Sequence, residues 1–86
     1  PKEPSFGRCF KNPPNHYAGT LIQNVQLKGV RFGKNKNLCF SPKHANFMIN
    51  LGDSSFDEAV ELLELAKKRV YENYGITLQE EVCIIR

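Results

Sequence analysis

The stretch from Ser55 to Gly75 constrains the fold most, because it carries a start signal, an apolar stripe and a stop signal for one long helix. Ser55, with Glu58 three residues on, fits a capping box, in which each side chain satisfies a backbone N–H left open by the first turn. Phe56, Ala59, Val60, Leu63, Ala66, Lys67, Val70 and Tyr74 recur at helical spacing and make one face, with the aliphatic stem of Lys67 at its edge. Glu58, Glu61 and Glu64 precede Lys67, Lys68 and Arg69, the order that suits the helix dipole, and Glu64 stands i,i+4 from Lys68. Gly75 supplies the stop. A helix over residues 55–74 would be roughly 30 Å long and has one apolar side, so the rest of the chain must build the surface it covers.

That surface reads as a small sheet. Residues 5–10 suit a short strand before a Pro-rich turn segment. Apolar residues at 18, 21, 22 and 25 predict a short helix, which Gly29 can end. Val30, Arg31 and Phe32 alternate like a strand, residues 33–37 form a polar turn, and 38–40 resume an apolar run that Pro42 interrupts. Residues 45–51 read as another strand, and 76–85 as one or two more, carrying Glu80 and Glu81 among apolar neighbours. The expected class is α+β: one small domain over residues 1–86, with a mixed or antiparallel sheet, one short helix and one long one. A chain of 86 residues holds one modest core.

Composition narrows the function classes. The chain is 41% hydrophobic and 24% charged, which disfavours disorder, and no apolar run approaches a membrane span. Cys9, Cys39 and Cys83 are odd in number and widely spaced. That pattern argues against a disulfide scaffold or zinc site and points to a reducing, cytoplasmic setting. Residues 1–52 carry eight basic residues against one acid, net +7, while residues 53–86 carry four against eight, net −4. A positive half of this kind attracts phosphates or nucleic acid, or is a solvated face.

Three clusters are candidate sites. Arg8, Cys9, Lys11 and Asn12 follow Gly7, so two cations, a thiol and an amide can meet a ligand close to backbone, or else form a polar edge strand. Lys43 and His44 precede an apolar strand, where His44 can donate to an anion, move a proton or serve structure. Neighbours Glu80 and Glu81 point to opposite faces of a regular strand, so one can sit in a drier site while the other makes an ordinary ion pair.

Five ordered motifs bring these together. Pro4-Ser5-Phe6-Gly7-Arg8-Cys9-Phe10-Lys11-Asn12-Pro13 is the first. Ala18-Gly19-x-Leu21-Ile22 is next, then Leu27-Lys28-Gly29 with Arg31-x-Gly33, then Lys43-His44-Ala45-x-Phe47-x-x-Asn50. Gly75-Ile76-x-Leu78-x-x-Glu81-Val82-x-Ile84-Ile85 closes the series. Together they resemble the C-terminal domain of the UDP-N-acetylenolpyruvoylglucosamine reductase (UDP-N-acetylmuramate dehydrogenase) family over nearly the whole chain. The resemblance implies a flavoprotein of peptidoglycan synthesis, and so of cell-wall biogenesis, cell shape and division. In such an enzyme NADPH reduces FAD, and hydride then passes to the enolpyruvyl group of UDP-N-acetylglucosamine enolpyruvate to give UDP-N-acetylmuramic acid.

By the same resemblance Glu81 surrounds the substrate carboxylate together with an arginine of the FAD-binding domain. Asn12 contacts substrate, His44 lies along the nucleotide, and Lys11 and Lys43 flank them. Arg8 stands where the family has its proton-donating serine, and a guanidinium, a poor acid, can still stabilise a developing anion. Cys9 becomes a possible acid if a bulge turns it inward. FAD is expected to be held mainly by the parent's N-terminal domain, so this chain alone should be inactive. The alternatives are a basic nucleic-acid-binding module, which needs exposed aromatics among the cations, and a homologue that keeps the fold with impaired catalysis. No nucleic acid, membrane or metal partner is expected on the main reading.

Overall fold

The computed structural model describes residues 5–52 and 54–81. In chain order the elements are β1 (Ser5–Arg8), α1 (Ala18–Asn24), β2 (Leu38–Phe40), β3 (Phe47–Asn50) and α2 (Phe56–Tyr74). The strands form one antiparallel sheet in the order β1-β3-β2. This is the expected α+β class, with one short and one long helix.

The capping box forms as the sequence implies. The Ser55 hydroxyl accepts from the Glu58 N–H at 3.1 Å, and the Glu58 carboxylate accepts from the Ser55 N–H at 2.9 Å. Gly75 ends α2 in the left-handed region at φ 68°. Glu58 also accepts from the Lys34 N–H at 2.5 Å, so it ties the 33–37 turn to the start of α2. These donors, Ser55 first and then Lys34, hold its carboxyl below the usual carboxylate range.

The core lies between the sheet and the two helices. Phe40 and Met48 face each other across β2 and β3 and are fully buried, as are Leu38 and Phe10. Onto them pack Leu21 and Ile22 from α1 and Leu62, Leu63, Ala66 and Val70 from α2. Burying each large side chain contributes about 1.5–3 kcal/mol before entropy is counted.

Several local expectations change. The buried face of α2 includes Leu62, while Phe56 and Tyr74 at its two ends are 44% and 43% exposed. The sheet is short, and the helix overhangs it. Residues 30–32 are not a strand: Val30 N–H closes a turn onto Leu27 O, and only Phe32 pairs, with Leu38. Gly29 does not end α1, which stops at Asn24 with Val25 as its cap. Gly29 instead takes φ 75° so that its N–H reaches Phe40 O at 2.8 Å. The strand expected over 45–51 begins only at Phe47, because the buried Ser41 hydroxyl folds the loop before it by accepting from Lys43 N–H and His44 N–H. Glu64 pairs with Lys67 rather than with Lys68. The 76–81 segment makes one bridge, Phe10 to Glu80, rather than a strand, and the rest of the closing segment, with Cys83, lies outside the described residues.

Candidate functional site

The first helix divides into two faces. Ala18, Leu21 and Ile22 are buried, with Val25 beside them at the cap, while Gly19, Thr20 and Gln23 turn to the opposite side. Its first N–H is capped from a distance, since Asn12 Oδ1 accepts from Ala18 N–H at 2.9 Å. That bond uses the oxygen of Asn12 and leaves its amide donor toward the cavity on this side of the molecule.

The cavity measures about 510 Å³. Arg8 enters from the end of β1, where it is paired with Phe47 of β3. The Phe47 ring meets His44 with centroids 5.7 Å apart, so Arg8 and His44 share one wall. Lys43 and His44 are presented by the Ser41-folded loop. Lys28 comes from the opposite side, held by a parallel bridge to Phe40, with its ammonium donating to Gln23 Oε1 at 3.2 Å. Asn12 and the 72% exposed Tyr17 complete the rim. Among the described residues, three cations therefore line one cavity and no carboxylate does. Such a setting favours an anion with several oxygens.

Four of the residues singled out from sequence thus converge: Arg8, Asn12, Lys43 and His44. Lys11 does not line the cavity; its backbone N–H instead donates to Gln79 O at 2.9 Å. Cys9 is fully buried in the core. The one register shift in β1 falls between Ser5 and Gly7, upstream of Cys9, so the thiol is not turned into the cavity wall. Glu81 is half-buried and does not line the cavity, but its N–H donates to Cys9 O at 3.0 Å, directly beside Arg8. Sequence reasoning missed Tyr17, Lys28 and Asn46. Lys28 stood in a quoted motif without a role, Tyr17 was legible only as an aromatic that could stack on a base, and Asn46 gave no local signal.

Asn46 organises this region. Its Oδ1 accepts from Phe10 N–H at 3.0 Å, its Nδ2 donates to Phe10 O at 2.8 Å, and its carbonyl accepts from Cys9 N–H at 2.7 Å. These bonds fix the residues that follow Arg8. Of the aromatics near the basic residues, Phe10 and Phe40 are core and Phe32 and Phe47 are half-buried, which leaves Tyr17 exposed there.

A protein-family model described as UDP-N-acetylenolpyruvoylglucosamine reductase, C-terminal domain, matches residues 1–85. The chain belongs to this family. It is 55% identical over its whole length to the UDP-N-acetylenolpyruvoylglucosamine reductase of Helicobacter pylori strain J99, covering 32% of that protein. It is 51% identical over 95% of its length to the reductase of that name from Aquifex aeolicus, covering 27% of it. Among solved structures, the UDP-N-acetylenolpyruvylglucosamine reductase of Thermus caldophilus superposes with a TM-score of 0.69 at 40% identity, over 94% of this chain and 28% of that one. The chain thus spans about a third of the length of the reductases it matches. Membership in the reductase family agrees with the five-motif resemblance, and the fold agrees with the solved reductase.

Proposed function

We propose that residues 1–86 are the substrate-binding domain of a reductase that converts UDP-N-acetylglucosamine enolpyruvate to UDP-N-acetylmuramic acid with NADPH, in the cytoplasmic stage of peptidoglycan synthesis. The observation that carries this reading is the cavity in which Arg8, Lys28 and Lys43 converge with Asn12 and His44, with no carboxylate among the described residues that line it. Its size and charge suit a nucleotide diphosphate, with the Lys ammoniums as point charges and the Asn12 amide and His44 imidazole as donors. One such cationic cavity suits one diphosphate, and this reading gives it to the substrate. FAD, held mainly by the parent's flavin domain, would supply the hydride.

Hydride addition at C3 of the enolpyruvyl group leaves negative charge at C2 and on the adjacent carboxylate, and C2 then takes a proton from solvent water, since the Arg8 guanidinium does not release one near neutral pH. Arg8 stabilises that charge from the cavity wall, and Glu81, together with an arginine of the flavin domain, orients the carboxylate. Cys9 serves packing, since its side chain is enclosed by the core.

The test is stopped-flow absorbance of the two half-reactions in the full-length reductase. Glu81→Gln should slow flavin oxidation by the enolpyruvyl nucleotide by roughly 10²–10³-fold while leaving flavin reduction by NADPH nearly intact. Equal slowing of both halves, or of neither, contradicts the role given to Glu81.

A further inference from the structure

Among the described residues, the segment bearing Glu81 is held to the body of the domain by Leu78, which is buried in the core with Ile76 packed beside it, and by a few polar contacts. Its backbone meets the 9–11 segment through two hydrogen bonds, Lys11 N–H to Gln79 O at 2.9 Å and Glu81 N–H to Cys9 O at 3.0 Å, which together make the Phe10–Glu80 bridge. A further fastening is an ion pair. Lys67 of α2 donates to Glu80 Oε2 at 2.5 Å and to Glu64 Oε2 at 3.0 Å, with the Lys67 and Glu80 side chains 30% and 23% exposed. Glu64 is 60% exposed and lies on the same helix as Lys67, so it steers the ammonium without tying two elements together. Among the described residues, the contact to Glu80 is the ion pair that crosses from α2 to the closing segment, beside the apolar packing of Leu78.

The geometry points to Lys67 as a positioning residue for the reaction: its ion pair with Glu80 locks the register of the closing segment on residues 9–11, and so sets where Glu81 stands beside Arg8. This rests on the role given to Glu81 above. Leu78 anchors the segment in the core, but past it there is one backbone bridge, and a slip by one residue there would exchange the faces of Glu80 and Glu81. A partly buried ammonium held by two carboxylates resists that slip more than a solvated surface pair would. Burial opposes the charge on Lys67, but the hydrogen bonds and charges of Glu80 and Glu64 outweigh it and raise its pKa.

The experiment uses the full-length reductase with Lys67→Met, Lys67→Arg and the control Glu64→Gln. Amide hydrogen exchange, followed by mass spectrometry or NMR, reads the lock itself. In Lys67→Met the Glu81 and Lys11 amides should exchange about fivefold faster or more, while β3 amides keep their protection. Stopped-flow reads the consequence. Flavin oxidation by the enolpyruvyl nucleotide should slow, by on the order of 10²-fold at most, with the nucleotide KM and flavin reduction by NADPH little changed. Lys67→Arg should restore most of both readouts, and Glu64→Gln should leave both near wild type. Unchanged exchange at Glu81 and Lys11 overturns the lock, and faster exchange with an unchanged half-reaction overturns the positioning role. Failure of the underlying reading would look different: Glu81→Gln itself would be oxidised by the enolpyruvyl nucleotide at the wild-type rate.

Discussion

Asn46 carries the backbone of Phe10 on both ends of its carboxamide, across 36 residues of sequence. Asn46→Ala strips both partners from a buried backbone N–H and C=O and should lower stability by about 2–3 kcal/mol, read as a shift in the denaturant midpoint. Asn46→Asp keeps the acceptor and loses the donor, so it should recover part of that loss. At the cavity wall, Arg8→Ser in the full-length enzyme should hold or raise turnover, because it places a hydroxyl where the family has its acid. Steady-state rates check this, and a drop of about 10²-fold would show that the guanidinium is indispensable to this chain. Arg8, Asn12, Lys43 and His44 were legible because they sit in motifs with chemistry of their own. Asn46 was not legible, since its work is done on residues far away in sequence. Tyr17 was legible only as an aromatic that could stack on a base, not as part of this cavity. The acid role of Cys9 depended on a bulge that turns its thiol inward, and the register shift in β1 lies on the other side of Gly7.

At the scale of elements, α2 is the best-determined piece. Its capping box, stripe and Gly75 act within a few residues of one another, which is the range over which sequence spacing speaks directly. Ser55→Ala should cost about 1 kcal/mol in thermal or denaturant unfolding. The Glu58 carboxylate stabilises the same end with a lowered pKa, so its contribution is present above about pH 4.5 and fades as pH falls through the lowered value. A pH series of melts should show Glu58→Gln converging on wild type in acid and diverging at neutral pH. Gly33, at φ 97°, approaches that carboxylate so closely that a methyl group would displace it, so Gly33→Ala should also loosen the start of α2. The weaker elements were misjudged for one physical reason. Residues 30–32 and 76–81 alternate well enough to look like strands, but each finds a single backbone partner, and pairing depends on chain segments that local pattern does not reveal. The overhang of α2 past the short sheet likewise left Phe56 and Tyr74 exposed despite their place on the stripe.

For the whole molecule, the layout explains why cations from distant parts of the chain meet. The antiparallel pairing of β1 with β3 brings Arg8 to Phe47, the loop before β3 brings Lys43 and His44, and the bridge beside β2 brings Lys28 from across the cavity. The same sheet turns its other contacts to α2, whose Lys67 reaches the closing segment. Because Lys67 has a raised pKa, the stability it adds is present below about pH 10.5 and is lost as pH rises through the raised value. The gap in melting temperature between wild type and Lys67→Met should therefore close in strong alkali. The central claim is that the cavity holds a nucleotide diphosphate. The most direct measurement is isothermal titration of the full-length protein with uridine diphosphate and with uridine. Lys28→Ala and Lys43→Ala should each weaken uridine diphosphate by about tenfold, more at low than at high salt, and leave uridine unchanged. Undiminished binding of uridine diphosphate by the double alanine variant would contradict the account.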